Sequence, residues 1–312
     1  VVYKTTTAAS YTCTMGSKAV SCADTAAGCG AKSWTYDGSS HSCGITSVSA
    51  PTDATIKYNT DGGSSYSTTV PAVTNVADTK TVYYQISGSN FTTKTGSYTC
   101  TINRATMSAS ASNNSQTYNG NALTCNGNTW SNVPSGSTKY YSTDSGANYS
   151  TTAPTVTNVA DSKTITWKVT NPNNNDKTGS FSCTINAASI SASASTKKLT
   201  WTGSAQSCAN VTVSSPSGAT IEYSTSQNGT YSTTAPTLTN AGSQTVWYKV
   251  SMTNYTTTTA ASYTCTMIKV TSSNNSQTYN SNPLTCNGNI SVGGPSSSTI
   301  KYGTAHGTYE LT

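Results

Sequence analysis

The amino-acid sequence predicts an all-β fold: tandem β-sandwich repeats of about 82 residues, arrayed as a rod or fibre. Three observations carry that expectation. The same Cys-to-Cys spacing recurs, with 57 positions from Cys43 to Cys100, 58 from Cys125 to Cys183 and 57 from Cys208 to Cys265. Each second Cys lies in a near-identical phrase: SYTCTI at 97–102, SFSCTI at 180–185 and SYTCTM at 262–267, with a further SYTCTM at 10–15. Short runs of β-branched and aromatic residues alternate with a period of two between turn residues, and no window shows a helical period. Self-similarity at a fixed interval marks arrays in which each repeat is one packed unit.

The repeats set the boundaries. Residues 16–102, 103–185 and 186–267 are three complete repeats, the first with an insertion that holds Cys22 and Cys29. Residues 1–15 match the end of the third repeat and supply a final strand, while 268–312 match the first half of a repeat. Neither end completes a sandwich alone. With no signal peptide and no initiator Met, the sequence reads as a mature fragment or a window on a longer chain.

The third repeat shows the order of elements. Ala188–Ala194 (ASISASA) alternates small apolar residues with Ser, a weak first strand. Thr200-Trp201-Thr202-Gly203 is a turn, matched by Thr35-Tyr36-Asp37-Gly38, Thr117-Tyr118-Asn119-Gly120 and Thr278-Tyr279-Asn280-Ser281. Asp-Gly and Asn-Gly supply the positive φ of a tight hairpin. A strand carrying Cys208 follows, then Ala219–Ser224, where Ile221 and Tyr223 share a face. Ile56/Tyr58 and Ile300/Tyr302 repeat that pair, whereas the second repeat has Lys139 at the inward Ile position, expected to snorkel at a sheet edge. The clearest strand is Thr245–Ser251, with Val246, Tyr248 and Val250 on one face. Its counterparts are Val82/Tyr84/Ile86 and Ile165/Trp167/Val169. A last strand holds the second Cys. Short strands punctuated by turns in a unit of this size predict a two-sheet sandwich.

The run Y-S-T-S-x-x-G-x-Y-S-T-T-A-P-T-x-T-N at 223–240, followed by TVWYKV, resembles the MBG/YDG-type repeats of bacterial surface proteins, and Tyr36-Asp37-Gly38 matches the YDG signature. The resemblance covers the three full repeats and the half repeat. It implies an Ig-like sandwich of the kind found in secreted adhesins and stalks, and it brings no catalytic residue. The paired Cys in every repeat departs from the usual pattern and points to selection for robustness, as in a fibre.

Two connectivities fit the cysteine arithmetic: 43–100, 125–183 and 208–265 within repeats, or 100–125, 183–208 and 265–286 between them. Strand direction favours the first. Cys125 lies just past the turn at the far end of its repeat, and Cys183 lies two residues before the last strand finishes at that same end. Cys100 falls beyond the ~4.4–6.8 Å Cα reach of a disulfide to Cys125. Cys22 and Cys29 read as a short local disulfide, with a metal site including Asp24 and His41 as the rival reading. Cys13 and Cys286 have no mate within a repeat and are candidates for a junction between copies.

Composition excludes several function classes. Charged residues are 8% of the chain, the net charge is +6, and Arg104 is the only Arg, so the clustered cations of a nucleic-acid surface are missing. No stretch approaches the ~18 apolar residues of a membrane span. Regular cysteines at this density imply an oxidising, extracellular or cell-surface setting. No nucleophile–base pair, phosphate loop or recurring carboxylate pair appears, so no catalytic residue, cofactor or metal is expected. Asn59–Gly63 reads as a hairpin turn rather than a calcium loop. Tyr66, Tyr149, Tyr231 and Tyr309 recur with the repeat, which favours packing over sugar stacking. Asn-x-Ser/Thr sequons stand at Asn90, Asn113, Asn148, Asn210, Asn228, Asn254, Asn274 and Asn289.

The functional expectation is a structural extracellular protein, a segment of a disulfide-stabilised fibre, filament or adhesin stalk. The alternative is a binding module for a glycan or host protein. Copies of itself, head to tail, are the expected partners. In one version the chain is part of a continuous array. In the other, residues 1–15 of one copy complete the half repeat 268–312 of the next, with Cys13 facing Cys286.

Overall fold

The computed structural model describes residues 1–50, 52–285, 288–295, 301–305 and 308–311. Among these the fold is all-β, a tandem array of Ig-like sandwiches, and the only helical pieces are two 3₁₀ turns, Val76–Asp78 and Val159–Asp161. The chain divides into two compact units. One comprises Val1–Asn114, Thr124–Pro154 and Lys163–Cys183. The other comprises Ser115–Leu123, Thr155–Ser162 and Thr184–Thr312.

In the first unit, one sheet of the first repeat has the strand order Lys32–Thr35, Lys94–Asn103, Lys80–Ser87, Thr55–Asn59. Alternation along Lys80–Ser87 buries Val82, Tyr84 and Ile86 at 0%, 5% and 0% exposure, the face that the sequence pattern selects. Across the core lies a second layer built from shorter pieces, including His41–Ser42 paired with Ala72–Val73. Lys18–Ala19 runs parallel to Phe91–Thr92 at the start of the repeat. The same unit holds the antiparallel strands Thr138–Ser142, Lys163–Asn171 and much of Asn174–Asn186 from the second repeat. Ile165, Trp167 and Val169 are buried there in the same way.

In the second unit the third repeat orders its larger sheet as Lys197–Thr200, Ala261–Thr271, Gly242–Ser251, Thr220–Ser224. Ser191–Ala194 pairs with Val211–Ser215, and Gln206–Ser207 with Thr237–Leu238, in the opposing layer. Val246, Tyr248 and Val250 face Cys208 and Cys265 in its core.

One expectation needs correction. The Tyr36-Asp37-Gly38 turn and its third-repeat counterpart Trp201-Thr202-Gly203 do have positive φ, +81° at Gly38 and +87° at Gly203, but they are not hairpins. The strand before each turn, Lys32–Thr35 or Lys197–Thr200, lies parallel to the repeat's last strand, while the chain after it pairs in the other layer. The turn therefore carries the backbone from one sheet to the other. Lys139 stands on Thr138–Ser142, the edge strand of its sheet, where the sequence leads one to expect it. It is half-buried, with Nζ 4.6 Å from the centre of the Trp130 ring, so an aromatic face takes the charge that the Ile position cannot.

Candidate functional site

The cysteines come together within repeats: Cys43–Cys100, Cys125–Cys183 and Cys208–Cys265, with Cα separations of 6.0, 5.6 and 5.7 Å. All six are fully buried. In the first and third repeats the partners stand on opposite layers, so each bond staples the sandwich through its core. Closing a loop of about 57 residues restricts the unfolded chain by about 4 kcal/mol in the chain-entropy account. Cys22 bonds Cys29 at a Cα separation of 5.7 Å. Cys13 is free and exposed, and Cys286 lies outside the described residues.

The insertion of the first repeat does something the sequence did not announce. Lys32 is 2% exposed. Its ammonium donates to the carbonyls of Ala26 and Gly28, in the loop closed by Cys22–Cys29, and lies 5.0 Å from the centre of the Tyr98 ring. Burial lowers its pKa, which is the desolvation penalty on a charged amine. The carbonyls and the ring offset that penalty. His41 Nε2 lies 3.0 Å from Asp37 Oδ1, and its ring stacks on Trp34 at 4.9 Å. Among the described residues no three His, Cys, Asp or Glu side chains cluster as metal ligands.

The joints between repeats are the most regular polar constructions in the chain. In the first unit, Asn173 Oδ1 accepts from the Val76 amide at 2.9 Å, and Asn173 Nδ2 donates to Asn75 Oδ1 at 2.9 Å. In the second unit, Asn254 Oδ1 accepts from the Val159 amide at 2.8 Å, and Asn254 Nδ2 donates to Asn158 Oδ1 at 2.9 Å. One carboxamide thus clasps the 3₁₀ turn of the preceding repeat through a donor and an acceptor at once. The turn is itself pre-set. Asp78 Oδ2 accepts from the amides of Asn75 and Thr74 at 2.8 and 3.0 Å, and Asp161 Oδ2 does the same for Asn158 and Thr157. Those amides, Asn75 first and then Thr74, hold the Asp78 carboxyl below its ordinary range. The clasping Asn is also fixed by its backbone, since Asn173 O accepts from Ala105 N and Asn254 O from Ala188 N, each at 3.0 Å. Arg104, the only Arg, spends its guanidinium on the carbonyls of Asn171 and Asn174 beside the first clasp.

The proposed sugar-stacking faces are occupied from within. Lys168 Nζ lies 4.8 Å from the Tyr149 ring centre and Lys249 Nζ 4.3 Å from that of Tyr231, so both rings take part in packing. At Asn59–Gly63, Asn59 Oδ1 accepts from the amides of Asp61 and Gly62, which makes the segment a turn held by its own side chain. Side chains at Tyr309 lie outside the described residues.

No protein-family profile matches the chain, and no curated protein matches it. Among solved structures it is similar to Sidekick-1 immunoglobulin domains 1–4, with 10% identity over 77% of this chain and 72% of that one, at a TM-score of 0.23. It is similar to the insect immune protein hemolin, with 11% identity over 76% and 74% at 0.28. It is also similar to Drosophila N-cadherin EC1–3, with 9% identity over 77% and 98% at 0.31. Likeness at this level says nothing about ligands or partners.

Proposed function

We propose that the chain is a structural segment of an extracellular bacterial surface fibre or adhesin stalk, built from MBG/YDG-type repeats and without enzymatic activity. The observation that carries this reading is the pairing of two devices in series. Each sandwich is stapled by a buried disulfide, and the two described clasps fasten one repeat to the next through the same two hydrogen bonds. Covalent staples inside repeats and fixed joints between them are what a load-bearing array needs. A ligand-binding site requires neither.

Copies of the chain are the partners this reading supplies. Val1, Tyr3, Tyr11 and Met15 are 113%, 90%, 87% and 95% exposed, while their counterparts in the third repeat, Val246, Tyr248, Tyr263 and Met267, are 0%, 6%, 7% and 0% exposed. Residues 1–15 form no strand of their own, and a segment that shows core side chains to solvent is suited to strand addition on a half sandwich. Residues 268–312 provide one, with Cys286 meeting Cys13. Such a contact is heterologous and propagates. Mass under denaturing conditions decides between subunits and a continuous array. A ladder that collapses to 32.2 kDa on reduction supports strand donation between copies. A long chain unchanged in mass by reduction overturns it.

A binding module is the second reading. The feature that favours it is the first-repeat insertion, with Cys22, Cys29 and Trp34, which the other repeats lack.

A further inference from the structure

The first repeat has, at Asn90, the residue that forms the clasp in the other two repeats. Asn90, Asn173 and Asn254 stand at one position of the repeat, four residues after the buried Ile86, Val169 and Val250. The backbone support is the same in all three. Asn90 O accepts from Lys18 N at 3.2 Å, as Asn173 O and Asn254 O accept from Ala105 N and Ala188 N. Ser17 Oγ and Thr92 Oγ1, 2.8 Å apart, hold the same corner. At Asn173 and Asn254 the carboxamide grips a 3₁₀ turn. At Asn90 the side chain is exposed, and a cavity of about 260 Å³ opens beside it, lined by Met15, Gly16, Ser17, Ser89, Asn90 and Phe91.

We infer that this cavity is a docking site for the Asn-Val-Ala-Asp turn of a sandwich repeat of the same kind. The occupant is set by the chemistry of the other two joints: a backbone amide for Asn90 Oδ1 and an Asn carbonyl oxygen for Asn90 Nδ2. A turn whose Asp already holds its two leading amides, as Asp78 and Asp161 do, arrives pre-organised and loses little freedom on docking. The third repeat cannot supply such a turn. Its sequence there, Asn240-Ala241-Gly242-Ser243, is one residue shorter before the following strand and forms no 3₁₀ turn. This inference rests on the reading of the chain as a tandem structural array; it is an alternative to the Cys13–Cys286 junction, because a sandwich built from 268–312 and 1–15 has no counterpart of residues 75–78 to offer.

The test uses the full chain with residues 1–15 replaced by a second copy of residues 16–102, so that an intact repeat precedes Gly16. Amide hydrogen exchange at the Val76 of the added copy reads the new joint, and the native Val76 and Val159 amides serve as internal references. The expected result is protection within about threefold of the native Val76, reduced at least tenfold by Asn90→Ala in the downstream copy, with the references unmoved. Equal exchange with and without Asn90→Ala overturns the inference. So does an Asn173→Ala control that leaves the protection of the native Val76 unchanged, since the clasp would then not hold its own amide. Peptide mapping of the protein from its source gives a second, independent reading, because Asn90-Phe91-Thr92 is a sequon. A glycan on Asn90 Nδ2 takes one of its two N–H hydrogens and fills the cavity, and would also overturn it. A failed reduction ladder would remove strand donation and leave this docking site standing.

Discussion

Lys32 and Lys197 occupy the same register position, opposite Cys100 and Cys265 on the parallel strand of their repeats, and they have opposite fates. Lys32 is sealed at 2% exposure with its ammonium on two carbonyls, whereas Lys197 is half-buried on a strand with no insertion above it. In the second repeat Asn114 takes the place, is 6% exposed, and meets the chain through Gly127 N and Asn126 Oδ1. The difference teaches that the position is a polar gap at the sandwich edge and that each repeat closes it locally. A short disulfide loop supplies carbonyls in the first repeat, a carboxamide closes the second, and the third leaves its Lys half-buried.

The largest effect is expected from breaking this comparison directly. Lys32→Ala leaves the carbonyls of Ala26 and Gly28 without their donor and opens space beside Tyr98. It should lower the stability of the first repeat by about 2–4 kcal/mol. Lys197→Ala should stay within about 0.5 kcal/mol. Native-state hydrogen exchange at core amides of each repeat measures both in one molecule. Equal losses would show that the loop carbonyls do not hold Lys32.

A smaller effect separates the second repeat from the third. Trp167 lies across from Gly179, where an added Cβ would come 2.3 Å from the ring, and Tyr84 lies across from Gly96 in the same way, at 2.5 Å. In the third repeat Ala261 stands opposite Tyr248. The larger indole needs the missing Cβ. Gly179→Ala should therefore cost about 1–3 kcal/mol through overpacking, while Ala261→Gly should cost under about 1 kcal/mol. Urea unfolding followed by tryptophan fluorescence for the first variant, and by hydrogen exchange for the second, checks the ranking.

These contrasts also mark what the sequence makes legible. Val82/Tyr84/Ile86 and their counterparts could be placed in the core because alternation is a property of the strand itself. The disulfides followed from spacing and strand direction. The parallel strand Lys32–Thr35 was missed because KSWT is short and carries no β-branched run, and its partner lies about 68 positions away. Lys32 was missed because a Lys is ordinarily a surface residue, and only the folded insertion brings two carbonyls to it. The clasps had a usable signal. TNVAD recurs at 74–78 and 157–161, and an Asn recurs four residues past each core strand residue Ile86, Val169 and Val250. In a chain rich in Asn and Thr, that fixed offset is visible only once the repeats are aligned on their cores.

The smallest effect changes sign with pH, and it compares the Tyr of the first and third repeats with the Phe of the second. Tyr98 and Tyr263 donate their hydroxyls to the carbonyls of Cys43 and Cys208, beside the staples, and Phe181 stands at that position in the second repeat. Burial, with the neighbouring Tyr223 and Tyr248 adding to it, pushes the Tyr263 phenol up to about 12. An unfolded Tyr titrates near 10. The folded state thus holds this proton more tightly than the unfolded one. The contribution is fully present below pH ~10 and is lost as pH rises through about 12. Tyr263→Phe removes a buried hydrogen bond and should lower third-repeat stability by about 1 kcal/mol at pH 8. Above pH ~10 the parent loses stability faster than the variant, so the gap should close and then reverse. Tyr223, which burial also raises, leaves a residual decline in both. Chemical unfolding at pH 8 and across the alkaline range, with the two proteins side by side, reads the crossing. Parallel curves with no crossing would mean that the Tyr263 hydroxyl is not held protonated against the Cys208 carbonyl.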